Sequence, residues 1–173
     1  MNKKYLIFIL ISFFINNLVY SASTNSGAKS NGREDLSFLS VKNSNYKKGL
    51  DALKQAKRYE KKEKFEKSKK RFNDSLKFFT LANEKYPNEP DILNYLGFTS
   101  RKVGDFIMAE IYYTQGLAIE PKHIGINEYL GELYVQTNRI DLAKERLKIL
   151  ENCNCKEYDD LKQIIAGTKK SKY

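Results

Sequence analysis

Pro90–Pro121 reads PDILNYLGFTSRKVGDFIMAEIYYTQGLAIEP, and Ile124–Cys155 lines up with it without a gap at a period of 34. Leu96-Gly97 falls on Leu130-Gly131, Ala109 on Ala143, and Asp105 on Arg139. Self-similarity at that period marks stacked helical hairpins. Leu93, Leu96, Gly97 and Ser100 recur three or four residues apart, on one face of a first helix. Gly97 has no side chain and lets a second helix approach closely, and Gly104 permits the left-handed backbone that ends the first helix. Ala109, Tyr113, Gly116 and Leu117 form the facing stripe of a second helix that Pro121 stops. One such hairpin cannot bury its apolar face alone and needs neighbours.

In these residues the chain resembles the tetratricopeptide repeat (TPR) family. Leu96, Gly97, Gly104, Ala109, Tyr113, Leu117 and Pro121 carry the match in one copy, and Leu130, Gly131, Tyr134, Ala143, Leu147 and Leu150 in the next. The family's early Trp is replaced by Leu93 and Asn127, and the closing Pro of the second copy by Cys155. The resemblance implies an all-α, right-handed superhelical stack whose concave face is lined by first helices, a protein-binding module with no chemistry of its own.

A third, divergent copy precedes these two. Ala56, Tyr59, Phe65, Ser68, Phe72 and Ser75 follow the order of Gly97, Ser100, Phe106, Ala109, Tyr113 and Gly116 at an offset of 41, one heptad more than the period. Phe65, Phe72, Phe79 and Tyr86 recur every seven residues, with Ser68, Ser75 and Ala82 three behind. This aromatic-and-small seam predicts one helix from about Phe65 to Tyr86, roughly two turns longer than its counterparts. A register without the insertion would set Lys62-Glu63 where Leu96-Gly97 belong and bury charge, so it is rejected.

The expected organisation is an export signal at 1–21, a flexible tether at 22–45, a TPR domain at 46–167 and a basic tail at 168–173. Within the domain the repeats are placed at about 49–89, 90–123 and 124–155, with a capping helix at 156–167. The signal rests on Lys3 and Lys4, the short apolar run Tyr5–Ile15, and small residues before Ala22. Asn16-Asn17 cut the run short of a span, so cleavage is preferred over an uncleaved anchor, and the location is read as periplasmic. Leu36, Phe38, Leu39 and Val41 form a small apolar patch in the tether, docking on the first helix or entering the groove. Tyr158, Leu161, Ile164 and Ile165 are the stripe that caps the stack, with Glu157, Asp159 and Asp160 expected outward and KKSKY expected to fray.

The chain has 173 residues and a formal net charge of +10, distributed unevenly. Lys42–Tyr86 holds 15 Lys and Arg against 6 Asp and Glu, whereas Pro90–Cys155 holds 7 against 9. The Lys61–Arg71 run has two readings. As a basic patch it suits nucleic acid, lipopolysaccharide or an acidic protein, with nucleic acid disfavoured by export. As the solvated face of an amphipathic helix it needs no ligand, and the aromatic spacing favours this.

Nothing points to catalysis or to a cofactor. His123, the one histidine, sits in an inter-repeat loop as an ordinary loop residue, and no nucleophile signature or phosphate-cradling loop is present. Cys153 and Cys155 are a candidate disulfide in an exported protein, with a redox role or a copper or zinc site shared with His123 as alternatives.

For a partner, projecting first-helix positions away from the buried face selects Asn94, Phe98 and Arg101, then Glu128, Glu132 and Val135, and in the first repeat Leu53, Lys57 and Glu60. Tyr95 and Tyr129 flank this strip. Phe98 is either an exposed anchor for an unknown protein or peptide, or a ring packed on the neighbouring first helix. The resemblance implies a further test, since one subset of the family clamps a terminal carboxylate with Lys, Asn and Arg. The matching positions here are Leu53, Lys57, Tyr95, Gly125 and Tyr129, so only Lys57 suits that ligand. The alternative function is a peripheral envelope protein that sets its basic N-terminal helices on an anionic membrane surface.

Overall fold

The structure, a computed structural model, describes residues 44–171. The export signal, nearly all of the tether with its apolar patch, and Lys172 and Tyr173 lie outside the described residues. Among the described residues seven helices follow one another: α1 (Ser44–Glu60), α2 (Phe65–Lys85), α3 (Pro90–Val103), α4 (Phe106–Ile119), α5 (Ile124–Gln136), α6 (Ile140–Leu150) and α7 (Lys156–Ile165). There is no strand among the described residues, and no helix among them is long and apolar enough to cross a membrane. The tether boundary moves slightly, because Ser44 and Asn45 already belong to α1.

Three hairpins, α1–α2, α3–α4 and α5–α6, each pack on themselves, and α7 closes the stack against α5 and α6. The joins between hairpins are α2 on α3, α4 on α5, and the two first helices α3 and α5 on one another. Local chemistry sets the ends. Pro90 opens α3 at its first turn, and Gly104, at φ 96°, closes it in the left-handed region. Asp105 caps α4 by accepting the Met108 N–H at 3.0 Å. Three other turns put asparagine in the left-handed region, Asn88, Asn138 and Asn154, where its side chain is tolerated better than most.

Close approach in the second hairpin is what the glycine requires: a Cβ on Gly97 would stand 2.4 Å from Tyr113 Cε1. The first hairpin repeats this contact along a longer helix pair. Ala56 clusters with Phe72, and one heptad further out Gly49 meets Phe79, where a Cβ would come within 2.8 Å of the ring. Ser68 and Ser75 repeat as well, donating to the carbonyls of Ala56 at 3.0 Å and Gly49 at 2.9 Å. The inserted heptad therefore adds one more copy of the same packing set. At 21 residues against 14 in α4, α2 is two turns longer, as its spacing predicts.

Phe72, Phe79, Ser68, Ser75 and Ala82 are all buried. Phe65 departs from the expected seam: it is 64% exposed, because it opens α2 beyond the end of α1 and meets no facing helix. Lys62 and Glu63 lie in the exposed turn between α1 and α2, in keeping with the register chosen.

Candidate protein-interaction face

The first helices α1, α3 and α5 carry the strip projected from the sequence, and the structure divides it. Asn94, Phe98, Arg101, Glu128 and Glu132 are buried rather than presented to solvent, as is Leu53. Phe98 is 3% exposed. Its ring centroid lies 6.3 Å from that of Phe72 and 5.3 Å from that of Tyr129, and Lys57 Nζ sits 4.5 Å above it. Of the two readings of Phe98, packing between first helices is therefore the one observed; its expected exposure is corrected.

Arg101 and Glu132 likewise turn toward one another. Their side chains are fully buried and 3.4 Å apart across α3 and α5. Arg101 also donates Nε to Gln136 Oε1 at 2.8 Å and Nη1 to the Tyr129 carbonyl at 3.3 Å. A buried charge is tolerable only when paired and bonded in this way. Tyr113 lies beneath, and burial pushes its phenol well above the ordinary range despite the opposing pull of Arg101.

Asp160, expected outward on α7, is buried and ion-paired with Lys169. The described part of the expected frayed tail is accordingly held. Ser171 Oγ donates to Glu132 Oε2 at 2.6 Å and accepts from Arg101 Nη2 at 3.0 Å. Glu60 is engaged too, as the partner of Lys102. Val135 is half-buried against the cluster around Leu130 and Tyr134.

A hollow of about 620 Å³ lies open toward the α1 end of this face. Leu50, Leu53, Tyr95 and Tyr129 line it with apolar surface, and Lys54, Lys57, Arg58, Lys61 and Lys62 surround it, with no carboxylate in the lining. Four of the projected residues, Leu53, Lys57, Tyr95 and Tyr129, meet here. Leu50, Lys54 and Arg58 were not selected from the sequence, although their spacing of four places them on one stripe of α1 and was the signal available. The rest of the Lys61–Arg71 run is mostly solvated surface, with Ser68 buried beneath it. Burial, then the charge of Asp91, raises the Tyr95 phenol, which stays neutral and presents apolar ring surface to the hollow.

His123 is more than a loop residue. Its Nδ1 accepts the Ile126 N–H at 3.1 Å and caps α5, while Nε2 lies 3.2 Å from Asp91 Oδ1. Both ring nitrogens are thus engaged. No group of three or more His, Cys, Asp and Glu residues able to hold a metal occurs among the described residues. Cys153 and Cys155 are joined as a disulfide across the turn between α6 and α7.

No protein-family model matches the chain. A search of curated proteins found no significant match. Among solved structures, the chain is similar to the first TPR domain of Spaghetti (RPAP3) bound to the HSP90 peptide SRMEEVD, with a TM-score of 0.52 at 16% identity. That likeness covers 70% of this chain and 93% of the other. Helical hairpins at a period of 34, a small-on-aromatic contact inside each of the first two, and this structural likeness give one conclusion: the chain has a tetratricopeptide-repeat fold.

Proposed function

We propose that this protein is an interaction module that binds an acidic peptide segment of another protein, with an apolar side chain seated in the α1 hollow. The observation that carries this is the hollow itself: an apolar floor ringed by five cations and no carboxylate. Such a site rewards a ligand that buries one large apolar group and surrounds it with negative charge. The similar RPAP3 domain is bound to a peptide with three acidic residues, SRMEEVD, which supports the ligand class without naming the partner. Here Leu53, Tyr95 and Tyr129 replace polar clamp positions, so apolar anchoring outweighs capture of a terminal carboxylate.

The signal-like start at 1–21 places the partner in the cell envelope in this reading. A photo-crosslinking side chain at Lys61, on the exposed rim, should capture one acidic protein in envelope preparations. Capture should fall at least tenfold in a Lys54→Glu/Lys57→Glu variant whose melting is unchanged. Undiminished capture by a folded double variant would remove the hollow as the binding site. Vesicles of anionic lipid bound equally well in place of any protein would favour the membrane-surface alternative.

A further inference from the structure

The described chain continues past α7 and returns across the first-helix face. Gly167 takes φ 71°, and its N–H bonds to the Ile164 carbonyl at 3.1 Å. The N–H groups of Thr168 and Lys169 both reach the Gln163 carbonyl, at 3.0 and 3.3 Å. A left-handed glycine bonded in this way ends a helix and reverses the chain. The residues after it alternate: Thr168 and Lys170 are exposed, Lys169 and Ser171 half-buried. That is the period of an extended segment lying on a surface.

Both inward residues meet charge. Lys169 pairs with Asp160 of α7, and the Ser171 hydroxyl sits between Arg101 of α3 and Glu132 of α5. A basic segment, TKKS at 168–171, thus rests against the buried carboxylates of Glu132 and Asp160, whereas the hollow near α1 is lined by cations. The Ser171 contact is separable from the fold. Without Ser171, Arg101 keeps Gln136, the Tyr129 carbonyl and Glu132, so its charge is not stranded.

We propose that the α3–α5–α7 end of the concave face is a docking site for a short basic peptide bearing a hydroxyl, and that its occupant is this chain's own segment 168–171. In the docked state the segment covers the acidic end of the face and leaves only the cationic end to a partner. Displacing it opens the full length of the groove.

Two variants test this in the full chain. Ser171→Glu sets a carboxylate against Glu132. Gly167→Val strains the left-handed turn, where a Cβ meets no atom within 4 Å. One readout is tryptic cleavage after Lys169 and Lys170, followed by mass spectrometry. The other is fluorescence anisotropy of a labelled synthetic peptide of residues 166–173. The wild type should be cut at least tenfold more slowly than the free peptide, and both variants at nearly the free-peptide rate. The labelled peptide should bind each variant at least tenfold more tightly than it binds the wild type, whose site is already filled. Wild-type cleavage at the free-peptide rate, or equal peptide binding by all three proteins, would overturn the proposal. Thermal melts confirm that each variant is folded, and Gly167→Val still decides the question should Ser171→Glu fail that control. No outside partner enters either readout, so failure here leaves the α1 hollow standing and failure of the hollow leaves this site standing.

Discussion

Replacing Phe72 by alanine removes a ring that is 2% exposed and shares a cluster with Leu53, Ala56 and Phe98. Full burial and close facing helices leave little room for collapse, so the cost should be about 4 kcal/mol, within the ~3–5 kcal/mol seen when buried Phe becomes Ala. Within that total, the tilted pair with Phe98 contributes about 0.5–1.5 kcal/mol. Lys102 Nζ, 5.0 Å from the Phe72 ring centroid, contributes about 0.5–1 kcal/mol. Neither is added on top, because neighbouring contacts share one energy. For a folded region of this size the melting point should drop by roughly 12–20 °C. Phe65, one heptad earlier on the same helix, is the control: at 64% exposure its replacement by alanine should cost at most about 0.5 kcal/mol. Urea unfolding followed by far-ultraviolet circular dichroism gives both values, with similar slopes required for the comparison. Hydrogen exchange should show the loss concentrated in α1 and α2, since a repeat stack transmits destabilisation chiefly to its neighbours. If the two variants lie within 1 kcal/mol of each other, the assigned packing of the first hairpin is wrong.

Mature protein isolated without reductant should expose no reactive thiol, because Cys153 and Cys155 are bonded to each other; two reactive thiols by a colorimetric count would contradict the link. Stability should fall as pH rises above about 10, where unfolded chains release phenol protons. Burial raises the phenols of Tyr46, Tyr95, Tyr113 and Tyr134, so the folded state holds protons that the unfolded state has lost; a flat urea midpoint between pH 9 and 11 would refute this. N-terminal sequencing of protein from the cell envelope should begin near Ala22, and an intact Met1 would refute cleavage of the leader.

The hairpins were legible because their determinants lie within one repeat. Gly97 against Tyr113 and Gly104 at a helix end are contacts between residues close in the chain, so a period of 34 reports them directly. The longer α2 was legible for the same reason: the heptad of Phe72 and Phe79, with Ser68 and Ser75, matches a facing helix adjacent in sequence. Four residues of the cationic hollow could be placed on the first-helix face from spacing alone. Lys54 and Arg58 share a stripe of α1 by spacing too, but the convergence of all of these on one hollow required α1, α3 and α5 to be set side by side. The fates of Phe98, Arg101, Glu132 and Asp160 were not legible, because periodicity says which side of a helix a residue occupies and not what the neighbouring repeat or the returning chain lays over it. Arg101 reads as a solvent-facing cation until α5 brings Glu132 within 3.4 Å, and Asp160 as surface until Gly167 turns Lys169 back onto it. Those contacts join residues 31 and 9 positions apart. They form only when one helix packs on another or the chain reverses on itself, and on this face that decided which charges were buried and which stayed exposed.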